Sequence, residues 1–458
     1  MYICNYILKS ILSMILLLSF AKNAFSQEKI DDIEVIGISP LPGIEIDRNK
    51  IPNASQSLRE IDLDSSTGTT IVDLLGEKLT GVTIKDVQNS PFQKNIDYRG
   101  FTAAPLLGES QGLAVYLNGT RINEGFGDTL QWELVPEAAL TDIDLMSSNP
   151  VFGLNALGGS LALTTKKGLD FLNTDSSVEN HFEFGGADWV NGNIELGAGD
   201  ESQGLYVAME NSYDGGWRDN SAGDVKRLFI NYGKIFENSD FDFTFMNADS
   251  NLNGNGVSPT ELLKVRRESV FTWPDFTSNK VYLAASNANF YLEDDSVINT
   301  SVYYRRLIRD TLNADELDAE ECAEDNATHA EQLEDDFGTA DEPICGEADG
   351  DNYEVLIDQF GNAISNNDAI RKYGLLNKSS TMTVTWGGSA QYNINTNYLD
   401  KMHNIIIGAS VDKTRTAFHS RGELGQLHNN RTVSNLLNTE GGFITLESIR
   451  EHSGSSGG

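Results

Sequence analysis

The stretch VFGLNALGGSLALTTKKG, Val151 to Gly168, sits where the chain changes its grammar. Two adjacent glycines, Gly158 and Gly159, stand directly before a short alternating run, LALTT, and a Lys-Lys-Gly stop. Adjacent glycines let a backbone turn tightly because they carry no Cβ. In the run that follows, Leu161, Leu163 and Thr165 point one way and Ala162 and Thr164 the other. This is a strand entered through a turn, and nothing in it looks catalytic.

Downstream, from about Ser177, the chain becomes alternating strands almost without pause. HFEFGG, NIELGAG, DFDFTFMN, VINTSVYY, TMTVTWGGSAQYNIN and HNIIIGASVDK place apolar residues on one face and polar or small ones on the other. Several segments run about ten residues, the length of a transmembrane β-strand. Nine strands are expected near 177–186, 191–199, 203–213, 225–235, 240–248, 280–291, 296–309, 378–394 and 402–414. The second, fourth, sixth and eighth connections are short (GDES, ENS, LEDD, NTNYLD). The odd ones are long, except the first near Gly186–Gly192. Long loops on one rim and tight turns on the other mark an outer-membrane barrel. In lipid such a sheet must close, since each unpaired backbone group costs several kcal/mol.

Upstream, Asp31 to Gly168 reads as a compact mixed α/β unit. SSTGTTIVDLLGEKLTG has Thr and Ser cap candidates, an apolar face at Ile71, Leu74, Leu75 and Leu79, and Gly81 past the end, which predicts a short helix. VTIKDV and NIDYRGF read as strands. GLAVYLNGTRI is a strand, Asn-Gly turn, strand signal. WELVPEAALTDIDLM gives a helical turn and then a strand.

The first 26 residues carry Lys9, an apolar run from Ile11 to Phe20 and small residues near Ala24 and Ser26. They read as a secretory signal peptide cleaved after Ser26, the run being too short for a span of about 20 apolar residues. The 458-residue chain holds 33 basic and 68 acidic residues, a net charge of −35, which argues against nucleic-acid binding through a basic surface. Cysteine is limited to Cys4, Cys322 and Cys345. Loss of Cys4 with the leader leaves two, which suits one disulfide in an oxidising compartment. Both lie in a fourth outer loop with sixteen Asp or Glu and no Lys or Arg between Asp315 and Asp351. Its DGDNYE segment (Asp349–Glu354) lacks the full Ca2+-loop pattern, so a repelling surface loop is favoured over a cation site. No P-loop, no G-x-S-x-G elbow and no metal-spaced histidines occur, so neither an enzyme, a cofactor nor a metal site is expected.

Taken together these segments resemble the TonB-dependent outer-membrane transporters, over essentially the whole chain. DDIEVIGISP resembles the TonB box and its linker, with Asp32, Ile33, Glu34, Val35, Ile36 and Gly37 as the box. TIVDLLGEKLTGVTI, NIDYRGF (Arg99 and Gly100) and GLAVYLNGTRI resemble plug motifs, with Asn118-Gly119 where Asp-Gly is usual. Val151–Gly168 resembles the end of the plug. The domains implied are a signal peptide (1–26), TonB box and linker (27–50), plug (51–168) and partial barrel (169–458). Barrels of this type have 22 strands. About nine are legible, and the ending REHSGSSGG lacks a terminal aromatic strand, so the chain reads as truncated. One departure matters. Where the family usually carries an arginine that pairs with barrel carboxylates, this chain has Ser148-Asn149-Pro150, so that pairing must differ or rest on Arg99 alone.

The resemblance implies import of a scarce solute, a ferric siderophore or related metal complex, across the outer membrane of a Gram-negative bacterium. Its partners would be the TonB energy-transducing system, outer-membrane lipid and a small-molecule ligand. TonB would pair with the box as an added strand. The alternatives are a non-functional receptor fragment, or an outer-membrane porin or adhesin, which needs neither plug nor box. The plug loops Phe101–Gly112 and Asn123–Trp132 face outward in the family. They supply the ligand-binding candidates Phe101, Glu109, Glu124, Phe126, Asp128 and Trp132, with Arg266 and Arg267 from the third outer loop. For each of these residues, packing or simple solvation is the competing reading.

Overall fold

A computed structural model of the chain describes residues 35–37, 45–47, 54–64, 70–86, 88–147, 153, 155–293, 296–322, 343–347, 353–366, 372–398, 401–436, 444 and 452–457. The expected signal peptide, residues 1–26, lies outside them. Strands β1 (Val35–Gly37) and β2 (Glu45–Asp47) are three residues each.

The plug begins with β3 (Ser55–Arg59) and a one-turn helix, α1 (Glu60–Asp64). Helix α2 (Ile71–Lys78) follows. Thr70 caps it by accepting from the Asp73 amide at 3.4 Å, Ile71, Val72, Leu74 and Leu75 are buried, and Gly81 (φ +81°) turns the chain away beyond its end. Strands β4 (Val82–Asp86), β5 (Lys94–Tyr98) and β6 (Phe101–Ala103) form one antiparallel sheet. Strands β7 (Leu113–Leu117), β8 (Thr120–Arg121), β9 (Leu140–Ser147) and β10 (Gly159–Thr165) join β3 in a second, of order β3-β9-β10-β7-β8. Two 3-10 turns, Trp132–Leu134 and Glu137–Ala139, lead into β9.

The β7–β8 hairpin turns on Asn118 (φ 47°) and Gly119 (φ 84°). The Asn118 amide donates to Thr165 Oγ1 at 2.8 Å while its carbonyl accepts from the Thr165 backbone N–H at 3.1 Å. A carboxylate could accept but not donate, so asparagine at this turn is what lets it tie to the last plug strand.

The barrel sheet contains nine long strands: β11 (Thr174–Phe184), β12 (Val190–Gly199), β13 (Gln203–Asp214), β14 (Gly223–Phe236), β15 (Ser239–Asn253), β16 (Asp275–Tyr291), β17 (Val297–Glu316), and two more. The fourth outer loop holds a small sheet of β18 (Ala319–Glu321), β19 (Ile344–Glu347) and β20 (Tyr353–Val355), and then come β21 (Tyr373–Tyr398) and β22 (Lys401–Leu427). Short β23 (Val433–Asn435) and β24 (His452–Gly457) pair with β22. All nine long strands are antiparallel to their neighbours, and the tight turns alternate with long connections as the sequence spacing predicts.

Residues opposite each other in a ladder share a face. The row Met209, Leu228, Asn247, Tyr282, Arg306, Val384 and Arg415 points away from the plug. Below it an apolar band runs through Leu205, Ile230, Phe243, Phe245, Val302, Ile407 and Val411, edged by Phe236, Phe290 and Tyr392. Tyr282, Tyr304 and Trp386 edge its upper side. From Phe290 to Tyr282 the wall climbs about 20 Å at a tilt near 40°, close to the ~25 Å band that such barrels present to lipid. Several strands outrun the sequence expectation: β15 reaches Asn253, β17 reaches Glu316, and β21 starts at Tyr373. Above the band the β15 and β17 extensions are mostly polar on both faces, while the start of β21 (Tyr373, Leu375, Leu376) is apolar on both, so no period of two marks any of them.

In the fourth outer loop, Cys322 and Cys345 form a disulfide beside the small sheet. A satellite core of Ile344, Leu356, Ile364, Tyr373, Leu375 and Leu424 seats this lobe on the ends of β21 and β22. The third outer loop contains a helix, α3 (Thr260–Val265), that its sequence did not signal.

Candidate functional site: the plug seat and the outer rim

The barrel's inward face meets the plug through charge. Arg227 on β14 has a side chain 2% exposed, and all three parts of its guanidinium are used. Nε donates to the Glu133 carbonyl at 2.6 Å, Nη1 to Glu210 at 2.8 Å and Nη2 to Glu137 at 2.9 Å. Glu210, on neighbouring β13, accepts from the Ala138 backbone N–H at 3.0 Å. One wall pair thus grips the plug segment Glu133–Ala138 by main chain and side chain. On β17, Arg305 pairs with the buried Glu124 carboxylate, and Arg309 donates to the Pro105 carbonyl at 2.8 Å.

This reverses the expected polarity. Here the guanidinium groups of Arg227, Arg305 and Arg309 sit on the barrel and the carboxylates of Glu124 and Glu137 on the plug, with Glu210 the one wall carboxylate among them. Arg99 does not make the contact. With Gly100 it forms the left-handed β5–β6 turn (φ 55° and 85°), and its exposed side chain lies over the Tyr98 ring at 5.0 Å. Residues 148–150 lie outside the described set.

The Glu133 side chain is buried against barrel strands β15 and β16. Its Oε1 accepts from Asn279 at 2.8 Å and from Ser250 at 3.4 Å, while Oε2 has no hydrogen-bond partner among the described residues. Burial pushes its carboxyl up to about 7, against the pull of Arg309 and Arg227. Glu137 is raised likewise by burial, opposed by Arg227.

The plug leaves through a glycine-lined trough. Lys166 meets Glu195 at 2.8 Å and Glu60 at 3.2 Å, Lys167 lies 3.7 Å from Asp242, and the Gly168 N–H donates to Asn231 at 2.7 Å. A Cβ on Gly233 would fall 2.4 Å from Leu169, and one on Gly197 2.1 Å from Phe171. The Phe171 ring stacks on Tyr206 at 5.4 Å. Beside this exit a cavity of about 510 Å³ is lined by Glu60, Glu137, Glu179, Glu195, Glu210 and Lys166, among others.

The eight ligand candidates divide. Trp132 is 1% exposed and its indole donates to the Ala103 carbonyl at 3.0 Å, so it is core rather than rim. Glu124 is consumed by Arg305. Phe101 is half-buried and fills the space over Gly112 and Gly158, where a Cβ would come within 2.5 and 2.4 Å of its ring. That contact explains the first glycine of the opening motif. Asp128 (φ 54°) pairs with Arg121 and Asn155. Glu109 and Phe126 are exposed, the latter against Phe418 with ring centroids 5.9 Å apart. Arg266 pairs with Asp219, and Arg267 lies over Trp217 at 5.5 Å.

Sequence reasoning missed Trp217. Its indole donates to Asn89 in the β4–β5 plug loop at 2.9 Å, and the Asn255 amide donates to the Gln88 carbonyl at 2.8 Å. The second and third outer loops therefore touch the plug at one place. Arg227, Arg305 and Arg309 were missed too, although strand parity alone puts all three on the inward face. Of the TonB-box residues, Asp32, Ile33 and Glu34 lie outside the described residues, and Val35, Ile36 and Gly37 make up β1.

Comparisons with known proteins agree with this architecture. Residues 47–160 match the TonB-dependent Receptor Plug Domain family. A search of curated proteins by sequence found no match. The fold is similar to that of the ferric citrate transporter FecA in its unliganded form, at a TM-score of 0.59 and 14% identity, over 88% of this chain and 52% of that one. It is also similar to the ferripyoverdine receptor of the outer membrane of Pseudomonas aeruginosa bound to ferripyoverdine, at 0.57 and 11%, over 93% and 51%. The chain spans about half the length of these structures. Receptors of this kind are not enzymes. Residues 47–160, whose sheet ends at the Gly-Gly turn, are thus a TonB-dependent receptor plug domain, and the antiparallel strands that hold it on their inward face share the fold of the barrels in these receptors.

Proposed function

We propose that this chain belongs to an outer-membrane receptor of a Gram-negative bacterium that imports a scarce solute, a ferric siderophore or related metal complex, with energy drawn through TonB. The observation that carries the reading is the plug seat. Arg227 and Arg305 hold the plug across the barrel's inward face, so a solute passes only if the plug is rearranged. A passive pore gains nothing from such a clamp. The domain limits follow the same reading: leader 1–26, TonB box and linker 27–50, plug 51–168 and barrel from 169. The box at Asp32–Gly37 would offer TonB an edge for strand addition, in which main-chain hydrogen bonds hold the partner.

The exposed candidates Glu109, Phe126, Arg266 and Arg267, joined by Trp217, form the ligand-facing surface in this reading. Trp217 carries it to the plug through Asn89. The test is uptake of radiolabelled ferric citrate and ferripyoverdine by iron-starved cells expressing the gene, with and without TonB. Uptake that requires both the protein and TonB supports the proposal. Accumulation unchanged by loss of TonB would sink it.

A further inference from the structure

The outward wall carries cations that the plug seat does not use. Arg306 alternates with the inward Arg305 and Leu307 and shares its outward row with Tyr282, Val384 and Arg415. One row below lie Tyr304, Trp386 and Lys413, and one row above lies Lys280. With strands about 4.8 Å apart and about 3.4 Å per residue, the other three cations fall within about 12 Å of Arg306. Tyr304 and Trp386 are 45% and 50% exposed.

Carboxylates do not neutralise this patch. Lys280 meets Asp249 at 3.4 Å, but among the described residues Arg306, Lys413 and Arg415 have no carboxylate partner. Among the described residues the only polar contact of Arg306 is a donation to the Met382 sulfur at 3.3 Å, and its Nε has no partner. In a chain of net charge −35, three unpaired cations on one outward patch are unexpected by composition. Their height is informative. They sit along the upper aromatic edge of the apolar band, where a headgroup would lie if this wall faces lipid, and aromatic belts mark that level. Cations near a membrane surface attract anionic headgroups, each contributing about fivefold in affinity.

We infer that Lys280, Arg306, Lys413 and Arg415, framed by Tyr282, Tyr304 and Trp386, form a binding surface for the phosphate of an anionic lipid on the outer side of the membrane. This rests on the membrane reading above. The aromatic rings meet the upper ends of the acyl chains, and the guanidinium and ammonium groups reach the phosphate. Arginine suits the role because its planar fork matches phosphate oxygens two at a time.

The test uses the full chain in vesicles of phosphatidylcholine alone or mixed with phosphatidylglycerol. Protease protection of the strands reports insertion, and native mass spectrometry of the extracted protein reports retained lipid. The wild type is expected to insert in both and to retain phosphatidylglycerol selectively. The preference should fall about fivefold in R306Q and further in the R306Q/K413Q/R415Q triple variant. It should be unchanged in K234Q, whose cation lies near the opposite edge of the band. Insertion with equal retention of the two lipids overturns the site while leaving the membrane reading intact. So does equal loss of preference in K234Q, which would show a diffuse charge effect. Displacement of phosphatidylglycerol by inorganic phosphate would assign the patch to a free anion and overturn the lipid. Failure to insert in either vesicle overturns the membrane reading and this inference with it.

Discussion

The Arg305 guanidinium of barrel strand β17 lies against the Glu124 carboxylate of the plug, and the two side chains are only 6% and 5% exposed. A buried pair of this kind is costly to break from one side, because the survivor is an uncompensated charge. E124L and R305L are each expected to loosen the plug by about 3–5 kcal/mol, while the double variant E124L/R305L recovers most of the loss. Denaturant titration with limited proteolysis of the plug as readout checks this. Additive losses in the double variant would show that the two residues do not act as a pair.

Acidification should tighten the plug. The Glu133 carboxyl is raised from its ordinary 4.5 to about 7 by burial. An acid raised on folding favours the seated state while it is protonated. That contribution is full below about 4.5 and is lost as pH rises through about 7. Plug unfolding by urea is therefore expected at higher concentration near pH 5 than near pH 8, with a difference of up to a few kcal/mol. E133Q, which cannot ionise, should flatten the profile. The same slope in E133Q would move the effect to Glu137, the other plug carboxyl raised by burial in this seat.

The parts that were legible in the sequence share a cause. A sheet with one continuous apolar face needs an apolar residue at every second position, so Phe241, Phe243 and Phe245 announce β15 without any knowledge of its partners. The α2 cap and the Asn118-Gly119 turn are equally local. The plug seat is not local. Arg227 and Glu133 are 94 positions apart, and Arg305 and Glu124 are 181. In sequence Arg305 and Arg306 are neighbours of one type, and only parity sends the first to the plug and the second outward. Trp132 and Glu124 misled because a loop that faces outward as a whole still turns individual side chains into the core. Polar extensions such as Asp249–Asn253 carry no alternation that would mark them as strand.

The glycine trough yields a third prediction. Gly197 and Gly233 face inward where Phe171 and Leu169 enter, and any side chain there collides at 2.1–2.4 Å. These collisions involve large, packed side chains, so the plug exit must shift. G233V should cost about 1–3 kcal/mol through overpacking. The expected signature is local. Disruption should free Lys167 from Asp242 and expose the 166–172 segment to protease while plug strands β7 and β10 stay protected. Loss of the whole plug at once would show that the exit and the plug core form a single cooperative unit.

The outer lobe should be separable from the barrel. Cys322 and Cys345 close a loop of 23 positions, which in the chain-entropy model stabilises the closed form by about 3 kcal/mol. Among the described residues the lobe itself contributes only Ile344, Leu356 and Ile364 to a small buried core completed by Tyr373, Leu375 and Leu424 of β21 and β22. With so little apolar area buried, the crosslink supplies a large share of what keeps β18, β19 and β20 together. Reduction, or the C322S/C345S variant, is expected to open residues 317–372 to protease while the plug seat keeps its urea midpoint. The barrel strands are held by continuous ladders that do not pass through this loop. If the seat weakens along with the lobe, the two are coupled through β21, and the pairing of Lys378 with Glu423 at 2.6 Å, on the ends of β21 and β22 beneath the lobe, is the contact to mutate next.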